Sequence, residues 1–287
     1  MSALLRECGH EVVVANPRRL RLLTESDKKN DPQDARTLAE MAWAKPALLA
    51  PIQHRSAAAQ ADLNLVRARD LLVEARTKLI DGVRCLVKGT GARVRKCPSG
   101  QFTSRAHEQM PNQVRAAAAH LLEVIDELSE KIRYYDELLE HVAQTRYGHT
   151  AVLKQISGVG TLTALAYVLT IDNPWRFERS RDVGCFLGLR PKQQDSGQRS
   201  PQLRITKAGD SYLRKMMVSC AHYILGPFGP DTDLRRWGLK LCERGGKNAK
   251  KRAVVAVARK LAVLLHHLWV TGEVYEPLRN AAAKVAA

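Results

Sequence analysis

Aromatic side chains are scarce in this 287-residue chain, at 5% of the composition, which argues against a stacking platform for single-stranded nucleic acid. Cysteine is sparse and scattered. Cys8, Cys85, Cys97, Cys185, Cys220 and Cys242 form no CxxC pair, so a zinc ribbon is excluded and thiols are expected to stay reduced in a cytosol. His266 and His267 are neighbours and point to different sides of a helix, a poor metal geometry, and they read as partly buried helix residues. No segment approaches the ~18 uncharged apolar residues of a membrane span. The opening MSALLRECGHEVVV shows no charged leader, apolar core of secretory length or small-residue cleavage site. A cytoplasmic protein with no membrane partner is therefore expected. No internal repeat is visible.

Negative charge is also in short supply: 29 Asp+Glu stand against 46 Lys+Arg, a formal charge of +17. That excess goes beyond what solubility needs and sets up a field that attracts polyanions. Nucleic acid is the expected partner, because each cation that neutralises a phosphate releases condensed counterion. A basic protein with merely solvated cationic faces is the alternative.

Four segments follow along the chain. Met1–Cys8 reads as the end of a helix stopped by Gly9, residues 11–15 (EVVVA) as a short strand, and residues 32–44 as a helix rich in Ala and Leu. Together they make a partial α/β element, since one strand cannot pair its own edges. Residues 56–90 carry Leu63, Val66, Leu72, Leu79 and Leu86 at heptad-like spacing, and residues 112–145 repeat apolar side chains every three or four positions. Two long amphipathic helices joined by a loop over 91–111 predict an antiparallel hairpin or coiled-coil stalk. The remainder, residues 150–225 and 226–287, reads as a mostly helical second domain with a last helix over 248–271.

Four constellations carry candidate chemistry. Asp31 and Asp34 are three apart and share a helix face. Paired carboxylates are hard ligands of the kind that hold Mg²⁺ beside phosphates. Spacing alone favours a structural role instead: Asp31 as N-cap before Pro32, with Asp34 suiting the helix dipole. In Gln155-Ile156-Ser157-Gly158-Val159-Gly160, an apolar helix end, a glycine turn and a new helix suggest a helix-hairpin-helix. There Gly158 and Gly160 would let backbone N–H groups approach a DNA phosphate. A tight turn without ligand fits equally well.

The loop from Leu187 to Asp210 holds Ser196-Gly197 among Arg190, Lys192, Arg199, Arg204 and Lys207. A serine there is a candidate nucleophile with cations to clamp a phosphate, although residue type alone favours a turn former. No local His suits a hydrolase triad. Finally, Arg244 to Arg252 places Lys247, Lys250, Lys251 and Arg252 beside a Gly-Gly pair at a helix start, where cations oppose the dipole and a bound polyanion would relieve them. The order of residues is not that of a P-loop.

These segments, in this order, resemble the DEDD transposases of the insertion sequence 110 family, the bridge-RNA-guided recombinases. GHEVVVANPRRLRLLTESDKKNDPQDARTLAE is similar to the end of that family's RuvC-like domain, and LKQISGVGTLTALAYVLT…GLRPKQQDSGQRSPQLRITKAGDSYLRKMM to its C-terminal transposase domain. The resemblance implies a partial RNase H/RuvC-like domain over 1–50, a helical coiled-coil stalk over 51–148 and a helical transposase domain with helix-hairpin-helix over 149–287. In that family four acids hold Mg²⁺ and a serine attacks DNA to form a covalent intermediate. Asp31 and Asp34 match the last two acids and Ser196 the serine. The first Asp, on a GIDxxK strand, and the Glu that follows it have no counterpart here. The resemblance thus implies a truncated gene or a start codon placed too late, and a chain that is recombination-dead and poorly folded before about residue 50. DNA, a structured guide RNA and a homo-oligomer (dimer or tetramer) are the implied partners. A non-catalytic nucleic-acid-binding protein is the alternative. A Holliday-junction-type nuclease, which would need the acidic site without Ser196, is disfavoured by the missing acids.

Overall fold

A computed structural model describes residues 2–17, 20, 30–201 and 203–280 of the chain. Most of the quoted stretch 18–29 lies outside the described residues. The chain divides into two compact units, Met1–Arg55 and Ser56–Ala287.

In the first unit, α1 (Ser2–Glu7) ends as expected at Gly9, whose φ of +84° only glycine adopts without strain. The β-branched run over 11–15 does not become a strand. It is extended, and two backbone bonds tie its neighbourhood to the segment near residue 50: Asn16 N to Leu49 O (3.0 Å) and Ile52 N to Val14 O (2.9 Å). β-branched side chains favour extended backbone, but a ladder needs a partner strand, and none pairs with it among the described residues. Helix α2 (Asp31–Ala44) follows, then a short 3₁₀ turn at Pro46–Leu49.

The second unit is mainly helical. Helices α3 (Ala57–Gly89) and α5 (Asn112–Arg146) run antiparallel: Asp62 meets Arg146 (2.8 Å), Arg69 meets Asp136 (2.5 Å) and Arg76 meets Ser129 (3.1 Å). The seam on α3 departs from the heptad reading. Leu63 and Val66 are buried, but Leu86 is 42% exposed and Val83 and Val87 are buried instead. A straight helix turns every 3.6 residues, so a strict seven-residue row drifts off the contact line. Residues 91–111, expected as a loop, contain a further helix α4 (Phe102–Gln109), which packs Phe102 and Ala106 into a distal core with Val87, Val114 and Ile125.

At the other end, the hairpin enters the main core. Leu63, Val66, Leu139 and Val142 join α6 (Thr150–Leu153), α7 (Thr161–Ile171), α8 (Asp182–Phe186), α9 (Ser211–Leu225), α10 (Asp233–Glu243) and α11 (Ala249–Thr271). Helix α11 is long and apolar enough to cross a membrane, with a mean hydropathy of 1.5 over its best window, closer to a span than the sequence reading allowed. Half of that window is buried inside the unit, and α11 carries Val257, Leu261, Leu265 and Leu268 into the core. It therefore serves as the unit's central helix. His266 is buried there, held by Ser180 (3.0 Å) and the Pro174 carbonyl (2.9 Å).

Candidate active site

One candidate group, in the first unit, lies at the start of α2. Asn30, not Asp31, is the N-cap: its Oδ1 accepts from Gln33 N at 2.8 Å. The cap thus sits one residue earlier than the sequence suggested, because Asn caps as well as Asp and its extended backbone already precedes the first turn. The shift has a chemical consequence. Asp31 and Asp34 occupy the first turn with no hydrogen-bond or ion-pair partner among the described residues, Asp31 exposed and Asp34 half-buried. Two free carboxylates one turn apart at a positive helix end suit a divalent cation by donor chemistry. Among the described residues no group of three metal-ligating side chains gathers.

Ser196 lies in the second unit. Residues 190–206 form a two-armed hairpin: Thr206 N donates to Arg190 O (2.9 Å), Lys192 N to Arg204 O (2.9 Å), and Pro191 faces Ile205. Ser196 and Arg199 exchange both backbone bonds across the tip (3.1 and 3.0 Å), with Gly197 at φ +56° in the first central position, where a tight hairpin turn of this kind favours glycine. Ser196 is exposed, and so are Arg190, Lys192, Arg199, Arg204 and Lys207. None of these five cations is ion-paired with an acid among the described residues; Arg190 bonds Gln193. A serine at the apex of a cationic, solvent-facing turn is accessible to a phosphodiester.

The hairpin's base is rigid. A Cβ on Gly209 would lie 2.1 Å from Phe186 O, and one on Gly188 2.3 Å from Ala208 N, so two backbones cross where only glycines fit. Arg214, on α9, donates to Leu187 O (3.0 Å) and Gly209 O (3.2 Å) and clamps the crossing. Asp210 caps α9 by accepting from Leu213 N (2.8 Å). The spacing of GL and KAG marked the glycines, but nothing local to Arg214 marked its role.

The Gly158–Gly160 turn joins the short α6 to α7, with Gly160 as an N-cap that offers no side-chain cap. Gly158 takes φ +93° and packs against Tyr223, whose Cδ1 would lie 2.6 Å from an added Cβ. A carboxylate already stands at this helix start. Glu140 is held below its ordinary range, chiefly by a hydrogen bond from Thr161, and pairs with Lys154 (3.3 Å). Any phosphate there shares Thr161 with it. At the start of α11, Lys247, Lys250, Lys251 and Arg252 are exposed, and Gly245 and Gly246 take φ of +73° and +89°.

Residues 150–232 match the transposase IS116/IS110/IS902 family, and residues 1–91 match the DEDD transposase family of the IS110 type. The chain is 31% identical over 279 residues to the transposase for insertion sequence element IS1111A of Coxiella burnetii, covering 93% of this chain and 73% of that protein. It is 28% identical over 227 residues to the transposase for insertion sequence element IS1328 of Yersinia enterocolitica, covering 77% of this chain and 66% of that protein. A mainly helical chain whose glycine-crossed, cationic hairpin falls inside one matched region and whose acidic pair falls inside the other is built as an insertion-sequence transposase. The chain belongs to the IS110 transposase family. The first unit lies within the residues matched by the DEDD transposase family.

Proposed function

We propose that this transposase cuts and rejoins DNA strands with Ser196 as nucleophile, guided by a structured RNA, and that it works in the cytoplasm as a dimer or tetramer. In the covalent step the Ser196 Oγ–phosphorus bond forms as a phosphorus–oxygen bond of the DNA backbone breaks. The serine proton leaves, and the departing sugar oxygen takes one up. Arg190, Lys192, Arg199, Arg204 and Lys207 steady the phosphate charge. In the first unit Asp31 and Asp34 would offer oxygen ligands to Mg²⁺, which would supply charge neutralisation for phosphate chemistry. Gly158, Gly160, Lys247, Lys250, Lys251 and Arg252 are assigned to backbone contacts with nucleic acid, with the turn at 158–160 acting as a helix-hairpin-helix. We further propose the division into RuvC-like (1–50), stalk (51–148) and transposase (149–287) segments.

The observation that carries the reading is the exposed Ser196 at a rigidly based cationic tip. The test is a denaturing gel of labelled DNA from the flanks of the gene, incubated with the chain, Mg²⁺ and RNA transcribed from the same flanks. A protein-retarded band that Ser196→Ala removes is expected. One observation favours a non-catalytic binding role: among the described residues no third metal-ligating side chain joins Asp31 and Asp34, and two carboxylates hold Mg²⁺ less tightly than four. On that reading the 287 residues by themselves are recombination-dead, no band forms, and Ser196→Ala binds DNA as the parent does.

A further inference from the structure

We propose that the far tip of the α3–α5 hairpin, residues 88–105, is a second nucleic-acid site, one that grips the phosphodiester backbone of a double helix and is separate from the Ser196 hairpin. Three observations lead there. Two antiparallel helices can be joined by as few as two to five residues, yet here residues 90–111 intervene and fold on their own small core. Phe102 and Ala106 are fully buried. Arg84 lies over the Phe102 ring at 5.2 Å, Thr103 donates to Asp126 (2.7 Å), and Gln109 accepts from Arg95 N (2.8 Å). The tip is a shaped, braced module, more than a joint needs.

The second observation is where its charges go. Along the shaft, cations share the two helices with acids: Arg69 pairs with Asp136 (2.5 Å) and Arg146 with Asp62 (2.8 Å), and Lys78, Arg115, Lys131 and Arg133, without an ion pair among the described residues, are accompanied by Glu123, Glu127, Glu130 and Glu137, whereas residues 88–105 contain no acid. At the tip Lys88, Arg93, Arg95 and Lys96 are exposed and Arg105 half-exposed, none with an acidic partner among the described residues. Unpaired like charges held on a braced surface repel one another until a polyanion neutralises them. No aromatic side chain is exposed between residues 88 and 105. Base stacking therefore has no platform, which points to backbone contact without sequence readout.

The third observation is reach. From Val66, the last α3 residue in the main core, to Val87 the helix advances roughly 30 Å at 1.5 Å per residue. That approaches the ~34 Å of one duplex turn. The tip can therefore meet the same duplex as the body, one turn away. The inference borrows from the proposed function only the nature of the ligand.

The experiment is fluorescence anisotropy of the full chain with a labelled duplex DNA and, separately, a labelled RNA hairpin, titrated across salt. The variant combines Lys88→Ala, Arg93→Ala, Arg95→Ala and Lys96→Ala, all at exposed positions, with circular dichroism confirming an unchanged fold. At roughly 0.9 per phosphate contact, the slope of log affinity against log salt is expected to fall by about three to four for the duplex DNA, and by a comparable amount for the RNA if both are gripped. A drop in one arm alone identifies which nucleic acid the tip holds. An unchanged slope in both arms overturns the proposal. If the slope then falls instead for Arg190→Ala with Arg199→Ala, the tip inference fails while the proposed function stands. Loss of oligomer mass by light scattering with an unchanged slope also overturns it, because the tip would then grip a second copy of the chain.

Discussion

Asp31 and Asp34 hold no side-chain partner among the described residues, while Asn30 does the capping. A structural acid and a ligand acid predict opposite outcomes on substitution. Because neither carboxylate stabilises the helix cap, Asp31→Asn with Asp34→Asn is expected to shift stability by less than about 0.5 kcal/mol in a melt while removing Mg²⁺-dependent adduct formation. A melt that falls by several times that amount would mark the pair as structural. The glycines give a second contrast. Gly209→Ala forces a Cβ to within 2.1 Å of backbone that cannot move cheaply, and is expected to cost about 3 kcal/mol or more. Gly197→Ala meets open space and carries only the left-handed φ of +56°, a cost of about 1–2 kcal/mol. Differential scanning fluorimetry of the two variants ranks them; the reverse order would contradict the crossing. At this scale the sequence was partly legible. The DxxD spacing and the glycines of GL and KAG stood out, but the cap lay one residue off because Asn and Asp cap alike. Arg214 was invisible because its role exists only once Leu187 and Gly209 meet in space.

The long helices could be read directly, since apolar side chains every three or four residues demand one buried face, and α2, α3, α5 and α11 begin and end within a residue or two of expectation. What could not be read is whatever lacks periodicity. Helix α4 has eight residues and only Phe102 and Ala106 as buried anchors, too few to distinguish it from a loop flanked by Gly100 and Pro111. The EVVVA run shows the converse: propensity was present and, among the described residues, a partner strand was not. Because the distal core is closed by α4, Phe102→Ala is expected to remove about 3–5 kcal/mol of packing from the tip alone. Trypsin cleavage at Arg93, Arg95 and Lys96 should then accelerate at least tenfold while the main core melts unchanged. A matching loss in the main melt would show that the tip and body unfold as one.

At the scale of the molecule, the acidic pair and the serine belong to different compact units, Met1–Arg55 and Ser56–Ala287, and the charge of +17 supplies the attraction that a DNA-handling chain needs. Composition alone pointed to a polyanion, and the matched families turn that into a transposase. The central claim is that the phosphate of a cut strand passes through Ser196. Trypsin cuts after Lys192 and Arg199, so the peptide Gln193–Arg199 contains one hydroxyl residue, Ser196. Mass spectrometry of the nuclease-trimmed protein–DNA adduct is expected to place the residual nucleotide on that peptide. A nucleotide on any other peptide, or intact unmodified Gln193–Arg199 in a verified adduct, would contradict the account.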